Sequence, residues 1–219
     1  KFMKKRHFLA AITVTVLAIV MVVSFVACDG NNDKDPANMK GEQVTAEQWA
    51  KAFDFSDVTN VTYKDVMSGS EDGMAFTVTT IQEYDGDKMH VKRTTEYTDE
   101  SGDAQTEVDE YYRAKEGGKV YQYEYDEDTK TWSCEEITYD VEWGIGDFNT
   151  FVNDFDKFTY DNDKNGYVAT YDGSPLLIKI IGGKFAYAEA EIKEGQETVK
   201  DTITIFGIGT TSVTLPTVA

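Results

Sequence analysis

The 219-residue chain has two cysteines, two histidines and three prolines, and each scarcity narrows what it can be. Two cysteines, Cys28 and Cys134, cannot build a disulfide framework, and no C-x-x-C pair occurs. His7 lies in the N-terminal leader, which leaves His90 as the one histidine of the remaining chain. A single imidazole cannot supply the paired ligands of most zinc sites, and H-E-x-x-H is absent. No G-x-S-x-G elbow, P-loop or dinucleotide fingerprint is present, so the chain reads as a non-enzyme. A carboxylate pair could still hide among the acids without a local signature. Positive charge is scarce too: 21 Lys and Arg face 40 Asp and Glu, a formal net charge of −19. Such a surface repels phosphate backbones and excludes nucleic acid as a partner.

What is present is material for a core. Hydrophobic residues make up 41% of the chain and aromatics 13%, with 13 Tyr and 12 Phe, too many for a disordered acidic tail. At this length one domain, or at most two small ones, is expected. The N-terminus stands apart: Lys4, Lys5 and Arg6 precede an uncharged run from Phe8 to Ala27, and no Asp or Glu appears before Asp29. Basic residues ahead of an apolar run hold the N-terminus on the cytoplasmic side, which places everything after Cys28 outside the membrane.

That run ends in Ser24-Phe25-Val26-Ala27-Cys28 and is followed by Asp29-Gly30-Asn31-Asn32-Asp33. The segment resembles the lipobox of bacterial lipoproteins, with Phe25 where Leu is commonest. The resemblance implies that residues 1–27 are a signal peptide, and that the Cys28 thiol receives a diacylglycerol and becomes the first residue after cleavage. The apolar run is also long enough to span a bilayer as an uncleaved anchor. Either reading gives an external, membrane-tethered domain on the cell membrane. Each buried methylene adds about 0.8 kcal/mol, so two or three acyl chains hold where one would not. With Lys1, Lys4, Lys5 and Arg6 gone, 17 basic residues face 40 acidic ones, and the mature part carries −23.

Residues 28–43 combine the lipidated cysteine with a polar stretch lacking hydrophobic period, expected as a flexible tether of about 20 Å. A single domain is expected over 44–219. Thr45-Ala46-Glu47-Gln48 fits a capping box, with Val44 and Trp49 placed for a hydrophobic staple, and predicts a short helix to about Phe53. From Val58 the period switches to two. Strands are predicted at 59–67, 74–83, 88–97, 106–114, 119–125 and 131–139, separated by Gly- and Asp-rich turns that make neighbours antiparallel. Phe148, Phe151, Val152 and Phe155 have helical spacing and predict a second helix over about 147–156. Strands resume at 157–161, 167–171, 176–181, 184–192, 199–208 and 212–215. The fold class is mainly β (α+β): a long, strongly curved antiparallel sheet, a half-barrel, with two short amphipathic helices on its concave side. A β-sandwich is the alternative.

A lipobox, a tether, an opening helix with Trp49, a long meander, one inserted helix and a closing Val213-Thr214-Leu215-Pro216 resemble the half-barrel lipoproteins, which include periplasmic lipoprotein carriers and mycobacterial glycolipid-binding lipoproteins. The chain is also similar to lipoproteins of low-GC Gram-positive bacteria with a V-T-x-E-x-W opening. In the half-barrel superfamily the concave face shelters acyl chains, so the resemblance implies binding of a lipid or other apolar ligand. The alternative is an envelope interaction or structural module without a small-molecule ligand.

Three sets of residues are candidate sites. Trp49, Phe53, Phe148, Phe151 and Phe155 form either a lid over an apolar cleft or ordinary core. Asp161, Asp163, Asn165 and Asp172 stand at positions 1, 3, 5 and 12 of a calcium-type loop with Gly166 at position 6, while Asn165-Gly166 equally signals a hairpin turn. Cys134 and His90 make a dyad on paper. Glu135 and Glu136 beside the thiol disfavour thiolate, so Cys134 reads as a structural, buried strand residue and His90 as solvent-facing.

Overall fold

The computed structural model describes residues 35–71, 73–99, 101–138, 149–171, 173–194 and 197–218. Eleven strands form one antiparallel sheet: β1 Asn60–Glu71, β2 Met74–Asp85, β3 Lys88–Thr98, β4 Ala104–Glu116, β5 Lys119–Asp126, β6 Thr131–Ile137, β7 Thr159–Asp161, β8 Gly166–Tyr171, β9 Ser174–Ile181, β10 Lys184–Glu194 and β11 Glu197–Phe206. Their order is β6-β5-β4-β3-β2-β1-β11-β10-β9-β8-β7. Two meanders are thus joined where β1 pairs with β11, from Thr62 opposite Phe206 to Ser68 opposite Lys200. The sheet is open, with β6 and β7 at its edges. All these strands share one sheet, so the sandwich alternative is set aside.

Alternation along the strands sorts side chains onto two faces. Val61, Tyr84, Met89, Val91, Tyr167, Ile178, Ile180, Phe185, Ile203 and Ile205 share one face and one hydrophobic cluster with Trp49, Ala52 and Phe53 of the opening helix. That helix, α1, spans Ala46–Ala52, and Thr45 and Gln48 form the expected reciprocal capping box. Trp49 has no exposed surface, its ring lying 4.9 Å from both Phe53 and Phe158. We call this side the α1 face.

The second predicted helix is not formed as such among the described residues. A single helical turn, Asn149–Val152, is followed by a 3₁₀ turn, Phe155–Lys157. The reason lies at the Phe151 carbonyl, which accepts from the Trp49 indole at 2.8 Å and from the Asp154 amide at 3.1 Å. The bond to residue 155 that would extend an α-helix is replaced by i+3 bonds, repeated from Lys157 to Asp154 and from Phe158 to Phe155.

The opposite side carries both terminal segments and is the terminal face. Residues 35–43, expected in the tether, are bound to the sheet. A 3₁₀ turn at Pro36–Asn38 is capped by Asp35, and the buried Lys179 ammonium donates to the carbonyls of Ala37 and Met39. Burial holds that ammonium below its usual range, opposed by Glu189 and Asp35. The chain then passes the end of β8, where Gly41 donates to Asn165, Glu42 donates to Ile180 and the Glu42 carboxylate grips the amides of Gly182 and Gly183. It reaches the α1 face at Val44, whose amide and carbonyl both bond the Tyr167 hydroxyl.

At the other end, the predicted strand 212–215 does not join the sheet, because β11 already has neighbours on both sides. Gly207, at φ 71°, turns the chain out of the sheet plane, and its carbonyl accepts from the Thr210 and Thr211 amides. Thr211 bonds Thr62 at 2.8 Å, and Val213 donates to Asp85 and accepts from Lys88. The strap ends with a parallel bridge from Val218 to Trp132 on edge strand β6.

Trp49 is the packing centre. Trp49→Ala is expected to lower unfolding free energy by about 3–5 kcal/mol in urea titration. Trp49→Phe, which keeps most of the ring but loses the donor to Phe151, should cost about 1–3 kcal/mol.

Candidate functional site

The aromatic residues expected to line a cleft are brought together and used as core. Trp49, Phe53 and Phe151 are buried, and Phe155 is half-buried against them. Trp49 lies 5.5 Å from Phe155 and 5.1 Å from Tyr167, and Phe53 stacks on Phe185 at 5.2 Å. Rings at these separations touch one another directly. Phe148 lies outside the described residues.

Of the calcium-loop residues, Asp161, Asp163 and Asn165 fall in one β-hairpin turn. β7 and β8 form a hairpin in which Asp161 Oδ1 accepts the amides of Asp163 and Lys164, at 2.8 and 3.1 Å, and Asn165 takes φ 53°. This is an Asx-stabilised turn. The twelfth position, Asp172, lies outside the described residues. Among the described residues, no group of three or more His, Cys, Asp or Glu side chains could hold a metal ion.

Cys134 is on strand β6 as expected, but it is exposed rather than buried. It pairs with Tyr123, which pairs with Tyr112, which pairs with His90, so three strand spacings, about 14 Å, separate thiol and imidazole. They form no dyad. His90 lies on the polar phase, the terminal face, yet its side chain is only 13% exposed. Its Nδ1 is 2.7 Å from Glu83 Oε2, its Nε2 is 2.9 Å from Glu110 Oε1, and its ring stacks on Tyr112 at 4.2 Å. Glu83, His90 and Glu110 thereby stitch β2, β3 and β4 together.

The group that composition left hidden is a buried carboxyl pair. Asp65 on β1 and Asp201 on β11 are diagonal neighbours on the α1 face, since Asp65 pairs with Ile203 and Met67 with Asp201. Asp201 is 3% exposed. The Oδ1 atoms of both are buried without a hydrogen-bond partner. Burial, then the Asp201 charge and a hydrogen bond to it, push the Asp65 carboxyl up to about 9, against the pull of Arg93. Burial also raises Asp201. Both carboxyls are thus held above their usual range, which favours a proton on the pair. The pair separates the main cluster from a smaller one, Met67, Phe76, Val78, Ile192 and Val199, on the same face. Sequence reasoning left both residues unnamed, though a signal existed. Asp65 follows Val61 and Tyr63 on the apolar phase of β1, and Asp201 stands between Val199 and Ile203 on that of β11.

No protein-family model matches the chain, and no curated protein matches it.

A carboxyl whose folded pKa lies above its unfolded value stabilises most at low pH and loses that contribution as pH rises. For Asp65 the window runs from about 4, its unfolded value, to about 9. The exposed carboxylates held low by hydrogen bonds, Asp99 and Asp126, act below that window. Unfolding free energy is therefore expected to fall from pH 5 to pH 9, and Asp65→Asn should flatten the slope. An Asp65→Asn protein with the parent's slope in urea titrations across this range would show that the pair does not share a proton.

Proposed function

We propose that this chain is a lipid-anchored, extracytoplasmic, non-catalytic module of the bacterial cell envelope. The observation that carries the reading is Cys28 at the end of a lipobox-like sequence, seven residues before Asp35, where the described fold begins. The domain is a half-barrel. Met89 and Val91 on β3 share one hydrophobic cluster with Tyr167 on β8, six strand spacings away, or about 29 Å if the sheet were flat. We read the sheet as curled around α1 and the 149–158 segment, both of which pack into that cluster.

Of the two binding roles expected from the sequence, the envelope-interaction module is the better supported. The side chains assigned to an apolar cleft pack against one another and against Ile178, Ile180 and Phe185. Meanwhile residues 104–109 of β4, residues 124–126 of β5 and most of β6 form a wing that is exposed on both faces. Such a wing offers surface rather than cavity.

In cells fed a labelled fatty acid, the chain should acquire label and fractionate with membranes, and Cys28→Ala should abolish the label. A chain that acquires no label, or a Cys28→Ala chain labelled like the parent, would overturn the lipid anchor. Stoichiometric uptake of a fluorescent fatty acid by the purified chain would restore the carrier reading.

A further inference from the structure

Resting on the lipid-anchor reading, we propose that the terminal face of the sheet is the surface this domain lays against the bilayer that carries its anchor. Three independent features of the fold converge on that face.

The first is where the chain arrives. The first described segment, Asp35 to Met39, lies on the terminal face, tied there by Lys179. Six residues lie between Cys28 and Asp35, so even a fully extended link reaches about 25 Å. A docked segment on the opposite face would put the sheet's other side toward the lipid; this one brings the terminal face.

The second is apolar exposure. Among the described residues, the large hydrophobic side chains that stand out to solvent are Val108, Tyr125, Phe206 and Val218, at 56, 39, 41 and 42%. Register places the first three on the terminal face: Phe206 pairs with Thr62, Val108 with Thr94 and Tyr125 with Trp132. Val218 belongs to the strap that crosses the same face. Scattered singly they would need no explanation, but side chains of this kind gain by insertion at a lipid interface.

The third is charge. The mature chain is strongly acidic, and an anionic headgroup layer repels exposed carboxylates. On the terminal face several acids are paired in place, Glu136 with Lys119, Glu189 with Lys200, Glu191 with Lys193 and Glu110 with Lys92, while Glu83 and Glu110 share the His90 ring and Glu96 and Glu116 are exposed. On the α1 face of the wing, Glu107, Asp109, Glu124, Asp126 and Glu135 are exposed. The field of the bilayer therefore turns the α1 face of the wing outward and leaves the terminal face as the one that can approach.

The test uses the full lipidated chain, in a Cys134→Ser background, reconstituted in vesicles of phosphatidylcholine and phosphatidylglycerol containing a nitroxide-headgroup lipid. Fluorophores are attached singly at Phe206→Cys, Thr202→Cys and Glu107→Cys. The first two report the terminal face and the third the α1 face; two terminal-face positions keep the comparison intact if one variant folds poorly. Nitroxide quenching at Phe206→Cys and Thr202→Cys is expected to exceed that at Glu107→Cys at least twofold. Equal or reversed quenching in a chain that remains on the vesicles overturns the orientation while leaving the anchor standing. A chain whose Cys28 carries no acyl group by mass spectrometry overturns the anchor itself, and with it the basis of the proposal.

Discussion

The ladder between β1 and β11 is the constraint on which the molecule depends. It is the one place where two local meanders meet, and seven residue pairs, Thr62–Ser68 against Phe206–Lys200, join strands that lie near opposite ends of the domain sequence. Every other strand pair is a hairpin or a short connection, which forms locally at small entropic cost. Without the β1–β11 ladder neither meander can bury its apolar phase against α1, because the main cluster draws on β1 to β3 and on β8 to β11 together.

That same ladder brings Asp65 and Asp201 into contact. Two carboxyls are thereby placed at the seam in a setting where neither can be well solvated. The proton the pair retains is a consequence of topology: on either meander alone the residue would face water and ionise in the ordinary range. The seam thus couples the closure of the sheet to the protonation of one site.

α1 and the terminal segments divide the two faces between them. Trp49 donates to the Phe151 carbonyl, fastening the link between the meanders to the opening helix, while Lys179 and Thr62 fasten the two chain ends to the other side. The residues that looked like a ligand lining are consumed by the first of these tasks. What remains open is surface: the β4–β6 wing and the uncovered parts of the terminal face.

Much of this architecture was legible from local chemistry. Period-two alternation from Val58, turn clusters between strands and the Thr45–Gln48 capping box placed most strands and α1, because hairpins and caps are decided by residues near one another in sequence. The strand ends drifted by a few residues, and β7 proved only three residues long. The second helix is cut to one turn and a 3₁₀ turn where the Phe151 carbonyl meets the distant Trp49 indole and the Asp154 amide, and the closing strand stays out of the sheet because both sides of β11 are occupied. Docking of residues 35–43 was invisible for a similar reason: its partners, Lys179, Ile180 and Gly182, lie far along the chain. The antiparallel, mostly β character, the acidity and the apolar run that ends at Cys28 follow from composition and spacing. Which meander edges join, that Asp65 meets Asp201, and that the 35–39 segment and the strap after β11 lie on one face are settled by contacts between segments that no local pattern brings together.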